Sequence, residues 1–423
     1  MKKKQTFLII CIILLSIIII GLVVLRSLYS KPNEPTADKP NVAKNNSDYK
    51  LIHEVNKLYE DNYLISPTSI SYAFLMASEG SNGKTKEQIT TLFGEKNFKN
   101  INIPNRIGVA NALFLKDTAK QFISEDFIKT LETKYNSEIV TAPFKGPVLI
   151  NNWVNEHTYG MIPKILNEIS PDFVLGLANA IAIDVEWRNK FLCSDTKSQE
   201  FTLNNNQKIN AVMMHEELSD IAYFENDNAY GVVKEYATYN KQGELVFEKT
   251  NDDITLEYIA IVPKGNLKDY ISNFNDNELN SLYSSKTYST NKLKYTLELP
   301  RYKYEFKLDQ FTNIMNTLGV TDAFSQIDAN FSNMVNNPDL KLYLETLVHS
   351  TFIDMSENGT KAAAVTYMGF DGITSIPEYE VKKITFDKPF MYLIREKESE
   401  DILFFGTVYN PEVYNENTVT CIK

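Results

Sequence analysis

The sequence predicts a mixed α+β domain behind an N-terminal apolar run, and three observations carry that reading. Apolar residues recur at helical spacing over Tyr49 to Tyr59, Ile70 to Ala77 and Phe127 to Tyr135. β-rich runs follow at Leu293 to Leu299, Ile353 to Met355 and Ile402 to Phe405. No internal repeat and no break in composition interrupts residues 50–412, so one large domain is the economical division of the 423-residue chain.

Composition narrows the function. Hydrophobic residues make up 43% and charged residues 23%, the balance of a chain that buries a core rather than a disordered one. Asp and Glu outnumber Lys and Arg, 54 to 43, and a net charge of −11 repels phosphate backbones, which sets nucleic acid aside as a partner. Of the three cysteines, Cys11 lies inside the apolar run, so at most one intradomain bridge forms with Cys193 and Cys421, and no thiolate zinc cluster fits. The four histidines show no metal-binding spacing, and neither GxSxG nor a phosphate-binding glycine loop occurs. The expectation is no metal, no cofactor and no enzymatic activity.

Residues 1–6 carry Lys2, Lys3 and Lys4, a cluster that stays on the cytoplasmic side when residues 7–25, FLIICIILLSIIIIGLVVL, enter a bilayer. At about 1.5 Å per residue that run nearly crosses a hydrocarbon core of about 30 Å, and it reads as a signal-anchor. A cleaved signal peptide, leaving a secreted protein, is the competing reading, although no Ala-x-Ala-like site follows the run. Residues 26–49, rich in Pro, Asn, Asp and Lys, form an extracellular linker, and residues 413–423 a C-terminal tail.

The stretch from Glu357 to Ile376 has turn residues at both ends and small residues in its middle. Read as a strand, one face holds Thr360, Ala362, Ala364, Thr366, Met368 and Phe370, and the other holds Lys361, Ala363, Val365, Tyr367, Gly369 and Asp371. Both charges fall on one face. A segment with a small, uncharged inner face can slide between two strands already packed on a core, whereas a bulky or charged face would clash or desolvate a charge. An Ala-rich surface helix or an ordinary buried strand is the alternative.

Glu357-Asn358-Gly359-Thr360-Lys361-Ala362-Ala363-Ala364-Val365-Thr366 resembles the hinge of the serpins, a family that inserts a loop into its own sheet. Collinear blocks support the resemblance: Asn62 to Ser71, Ile150 to Val154, Asn179 to Trp187, Leu299-Pro300-Arg301-Tyr302, Asp387-Lys388-Pro389-Phe390 and Ile402 to Gly406. It covers residues 50–412. It implies a serpin fold of three β-sheets and eight or nine helices with an exposed reactive-centre loop. It further implies a monomeric suicide inhibitor of serine, or papain-like cysteine, endopeptidases, in which the cleaved loop enters the large sheet and distorts the acyl-enzyme.

Carried over residue by residue, the hinge comprises Glu357, Gly359, Thr360, Ala362, Ala363, Ala364 and Thr366. Gly359 is the expected pivot and Thr360 the first side chain to enter. Glu357 is expected near Trp187 at the top of the large sheet, with a plain solvated glutamate as the alternative. Ser66, Ser69, Asn179 and His349 match a polar cluster beneath that sheet which controls its opening, and Trp187 at its top is counted with them in that control. Counting seventeen residues inclusively from Glu357 ends at Ile373, so the reactive bond is Ile373–Thr374, or Thr374–Ser375 by the likeness of the following residues. An aliphatic or small residue there suits elastase-like or subtilisin-like proteases. Residues 232–257 depart from the family's short turn and leave room for an exosite. Asn358-Gly359-Thr360 would accept a glycan that obstructs the hinge, which, with the Lys, Asn and Ile bias, points to a bacterial cell surface. Two other readings remain: a non-inhibitory serpin acting as a binding or carrier module, and a hydrolase pairing Ser66 with His349.

Overall fold

The apolar stripe that begins at Tyr49 becomes helix α1 (Ser47–Leu58), which buries Tyr49, Leu51, Ile52 and Val55 along one face. The computed structural model describes residues 46–94, 101–217, 219–247, 249–250, 252–345, 349–360 and 379–415. The two-residue strand β1 (Leu64–Ile65) leads into helix α2 (Pro67–Glu79), started by Ser66, whose hydroxyl accepts the Ser69 N–H, and by Pro67 in its first turn. Nearly every side of α2 is buried, so it runs through the core rather than along the surface. Helix α3 (Gly83–Phe93) and strand β2 (Ile107–Lys116) follow. Helix α4 (Glu125–Tyr135) is capped by Ser124 and ends on Asn136 in the left-handed region. Then come β3 (Glu138–Ala142), α5 (Val148–His157), β4 (Leu175–Ile183) and β5 (Val185–Glu186).

Strands β6 (Lys197–Thr202), β7 (Lys208–Glu216), β8 (Ala222–Glu225), β9 (Ala229–Glu235) and β10 (Leu256–Pro263) precede helices α6 (Leu267–Asn273) and α7 (Asp276–Ser284). The chain continues through β11 (Thr287–Tyr288), β12 (Leu293–Pro300), β13 (Tyr302–Lys307) and α8 (Phe311–Thr317). It closes with β14 (Ser350–Ser356), β15 (Gly359–Thr360), β16 (Glu380–Thr385), β17 (Phe390–Glu396) and β18 (Ile402–Val408). The α+β class and the expected helix count hold: the described residues form eight α-helices.

These strands hydrogen-bond as four sheets, ordered β1-β18-β17-β10-β9-β8-β11, β16-β12-β7-β6, β13-β14-β15-β5 and β3-β2-β4. The last two are leaves of one sheet, because β4 and β5 are a single run interrupted at Asp184, whose N–H goes to the Arg106 carbonyl. Counted that way the sheets number three, as the resemblance implied. At the top, β15 lies antiparallel between β14 and β5, pairing Thr360 with both Met355 and Val185. Below Thr360 no described strand stands between β14 and β4, and a cavity of about 610 Å³ opens there.

The main core fills the space between α2 and the seven-stranded sheet. A smaller core of Phe114, Phe144, Ile150, Trp153 and Val154 lies on the opposite face of β2 and β4, under α5. From α5 the side chain of Asn151 accepts the N–H groups of Ile165 and Leu166 and donates to the Leu166 carbonyl, which holds residues 158–173 across the cavity. Cys193 is disulfide-bonded, and both other cysteines lie outside the described residues. So do the apolar run 7–25, the hinge residues Ala362, Ala363, Ala364 and Thr366, and the reactive-bond residues Ile373, Thr374 and Ser375. Among the described residues no helix is long and apolar enough to cross a membrane.

Candidate functional site

Two sets of polar side chains stand along the interrupted sheet, one at the β14–β15 turn above the cavity and one lining the cavity itself. The upper set follows from the tight turn between β14 and β15. Gly359 has φ +144°, and a Cβ there would stand 2.2 Å from the Val185 carbonyl oxygen, so only glycine lets the chain approach β5. Thr360 is already between the strands: it is 2% exposed and its hydroxyl hydrogen-bonds the Tyr236 hydroxyl at 2.8 Å. Thr360, the first side chain expected to enter, thus already lies between β14 and β5 in the intact chain.

Glu357 is buried, which corrects the solvated alternative. Its carboxylate accepts from Nε and Nη2 of Arg301 at 2.6–2.9 Å and from the Thr196 hydroxyl at 2.5 Å. The Trp187 N–H donates to the Asn358 carbonyl, and its indole Nε1 donates to the Ser356 carbonyl at 3.1 Å. The indole stacks on Tyr236 at 4.4 Å and 6°. Lys234, ion-paired with Glu216 at 2.7 Å, places its ammonium over the Trp187 and Phe191 rings. Burial pulls this lysine below the ordinary range, and the carboxylate of Glu216 opposes that pull.

Midway, Ser66, Ser69, Asn179 and His349 all line the cavity, as their expected grouping requires, while Trp187 stands apart at the top. The Ser66 N–H donates to His349 Nε2 at 3.0 Å, so the ring's proton resides on Nδ1. Burial pushes the His349 imidazole down to about 4, and it is neutral at physiological pH. The Ser69 hydroxyl reaches the Asn179 carbonyl at 3.5 Å. Asn179 Nδ2 donates to Asn111 Oδ1, directly opposite on β2, and Asn111 donates onward to the Tyr135 carbonyl. Asn179 Oδ1 is buried without a partner among the described residues. Because Ser66 offers His349 its backbone N–H and keeps its hydroxyl on Ser69, the nucleophile-and-base pairing weighed from sequence is not formed.

Arg301, Thr196, Tyr236 and Asn111 were not singled out from sequence. Arg301 stood in a recognisable Leu-Pro-Arg-Tyr block, and a buried carboxylate at Glu357 demands a cation, so that pair carried a usable signal. Nothing in the sequence marks Asn111 as the partner of Asn179.

Comparison with known proteins agrees with this geometry. The family model described as Serpin (serine protease inhibitor) matches residues 43–411. An uncharacterized serpin-like protein of Methanosarcina mazei is 29% identical over 390 residues, covering 87% of this chain and 85% of its own. The leukocyte elastase inhibitor of Xenopus tropicalis is 27% identical over 388 residues, covering 86% and 96%. Among solved structures, the thermophilic serpin tengpin in its native state superposes with a TM-score of 0.71 at 27% identity, covering 86% of this chain and 93% of that one. Thyroxine-binding globulin complexed with thyroxine, at 21% identity and a TM-score of 0.69, covers 87% and 98% and shares the fold.

Two stability predictions follow from the borders of the cavity. Glu357→Gln leaves the Arg301 guanidinium buried without a counter-charge and should cost about 3 kcal/mol, read as a lower urea midpoint; an unchanged midpoint removes the pair as a latch. His349 titrates near 6.5 when unfolded and about 4 when folded, so between those values the unfolded chain holds the extra proton. Stability should fall on acidification through that window, by up to roughly 3 kcal/mol, and level off below it. Urea titrations at pH 7 and pH 5 should show that His349→Gln removes this part of the pH dependence.

Proposed function

Because the chain belongs to the serpin family, we propose that it is a suicide inhibitor of serine endopeptidases, trapping the acyl-enzyme by drawing residues 361 onward into the gap between β4 and β14. One observation carries this reading: Gly359 and Thr360 already occupy the top two positions of the missing strand, in register with both neighbours. Continued in step, that register sets Ala362 between Ile183 and Ile353, Ala364 between Ile181 and Thr351, and Thr366 between Asn179 and His349. Alternation keeps all of these on the face of the buried Thr360 side chain. Thr366 then delivers a hydroxyl beside Asn179, whose Oδ1 lacks a partner among the described residues.

In the same register residue 370 meets Leu175 at the end of β4, and Ile373 lies just beyond. A protease esterified at Ile373, with Thr374 as the new N-terminus, is thereby carried to the pole opposite the hinge; cleavage at Thr374–Ser375 shifts this by one residue. Each backbone hydrogen bond gained is worth roughly 0.5–1.5 kcal/mol net. A strand of ten or so residues bonded on both sides releases over about 10 kcal/mol, comparable to the whole stability of a domain. The intact form is accordingly kinetically held.

The aliphatic or small residue at the bond favours elastase-like or subtilisin-like targets, in keeping with the relative named leukocyte elastase inhibitor. Residues 7–25 favour a domain tethered outside the cell by a bilayer anchor, with a spacer that starts at residue 26 and ends before helix α1 at Ser47 rather than at residue 49.

Incubation with an elastase should give a complex that survives SDS, together with a released peptide whose mass begins it at Thr374 or Ser375. Chain nicked in the loop should melt well above intact chain; if it melts no later, no energy is stored and the inhibitor reading fails. Thr360→Arg puts a charge at the first inserted position and should convert the inhibitor into a substrate, seen as a cleaved band without the complex. A wild-type chain that yields only the cleaved band favours the carrier reading.

A further inference from the structure

Strands β9 and β10 are antiparallel neighbours, with Glu235 opposite Glu257, and two residues suffice to join such a pair. Here residues 236–255 intervene, and those of them that the structure describes make a defined excursion. Tyr239 bridges to both Leu245 and Ile254, and the Asn240 side chain accepts the N–H groups of Gln242 and Glu244. The foot of the excursion is built into the hinge. Tyr236 stacks on Trp187 and bonds Thr360, the Ala237 N–H donates to the Glu186 carbonyl, and the Tyr239 hydroxyl accepts the Glu186 N–H. Strand β5, which pairs with β15, is therefore also the root of this finger.

The tip is of opposite character. Phe247 is 96% exposed and Leu245 close beside it in sequence is about half exposed, at 49%. Two of the tip's lysines are already paired, Lys241 with Asp252 at 3.1 Å and Lys249 with Glu398 at 2.8 Å. An isolated exposed phenyl needs no explanation, but this one stands on an ordered excursion fixed to the strand that flanks the reactive loop.

We propose that residues 236–247 form an exosite, with Phe247 seating in an apolar patch on the endopeptidase beside its substrate cleft as the enzyme engages the loop. This rests on the inhibitor reading above, since it is that reading which brings a protease to this pole. Apolar contact from a rigidly held aromatic suits such a role: it slows dissociation of the encounter without fixing which bond is cut.

The test uses the full chain with an elastase and a subtilisin, measuring the second-order rate at which intact chain is consumed. Phe247→Ser should lower that rate about five-fold or more, and Phe247→Leu should keep most of it. The number of inhibitor molecules used per protease and the melting temperature should stay unchanged, because Phe247 touches neither hinge nor core. An unchanged rate with both proteases overturns the exosite. Loss of a concentration-dependent self-association in Phe247→Ser, read by sedimentation, also overturns it and gives the patch to a second copy of the chain. If wild-type chain is cleaved without forming a stable complex, the inhibitor reading fails while the consumption rates still decide the exosite. If neither protease consumes the chain, both readings fall.

Discussion

A sheet lacking its middle strand is the constraint on which this molecule depends. Along the facing edges of β4 and β14 the backbone groups have no described ladder partner below Thr360, and backbone polar groups withheld from both water and partners are costly. The surroundings manage that cost rather than remove it. Helix α2 brings Ser66 and Ser69 against the gap from below, and residues 158–173 cover it from above under the hold of Asn151. None of these supplies a strand. The gap therefore remains the place where the fold has most to gain from a further strand.

The two borders of the gap are held by different physics. At the top, Glu357 and Arg301 form a buried charge pair with the Thr196 hydroxyl as a third member, and Lys234 and Glu216 form another beside Trp187. Such pairs are strong against loss of one partner and contribute little net stability when intact, which suits a joint that must stay registered. Midway, the groups are neutral: an imidazole whose proton burial has displaced, two hydroxyls and two amides. A strand can pass over neutral groups and exchange hydrogen bonds with them one for one. A fixed charge there would have to be desolvated at each step.

Much of this was legible in the sequence, and the reasons divide cleanly. Helix α1, helix α4 and strands β12, β14 and β18 appear where apolar periodicity placed them, because burial of one face sets that period. The pairing of Glu357 with Arg301 spans 56 positions and depends on how β13 and β14 meet, which no local pattern encodes. The advance of Thr360 into the sheet was equally hidden. It depends on whether the Tyr236 hydroxyl stands opposite, and Tyr236 lies in the segment that sequence could describe only as a departure from pattern.

The chain has two tryptophans, and the fold puts them in separate surroundings. Trp187 is stacked on Tyr236 at the joint where the loop leaves the sheet, with a lysine ammonium nearby. Trp153 belongs to α5, stacked on His157 at 4.2 Å and bonded to Glu138 on β3, in the smaller core. The protein thus carries two native fluorophores in separate environments. Replacing either by phenylalanine leaves a single emitter, so that intrinsic emission reports on the β14–β15 turn and on the α5 core separately, without any label.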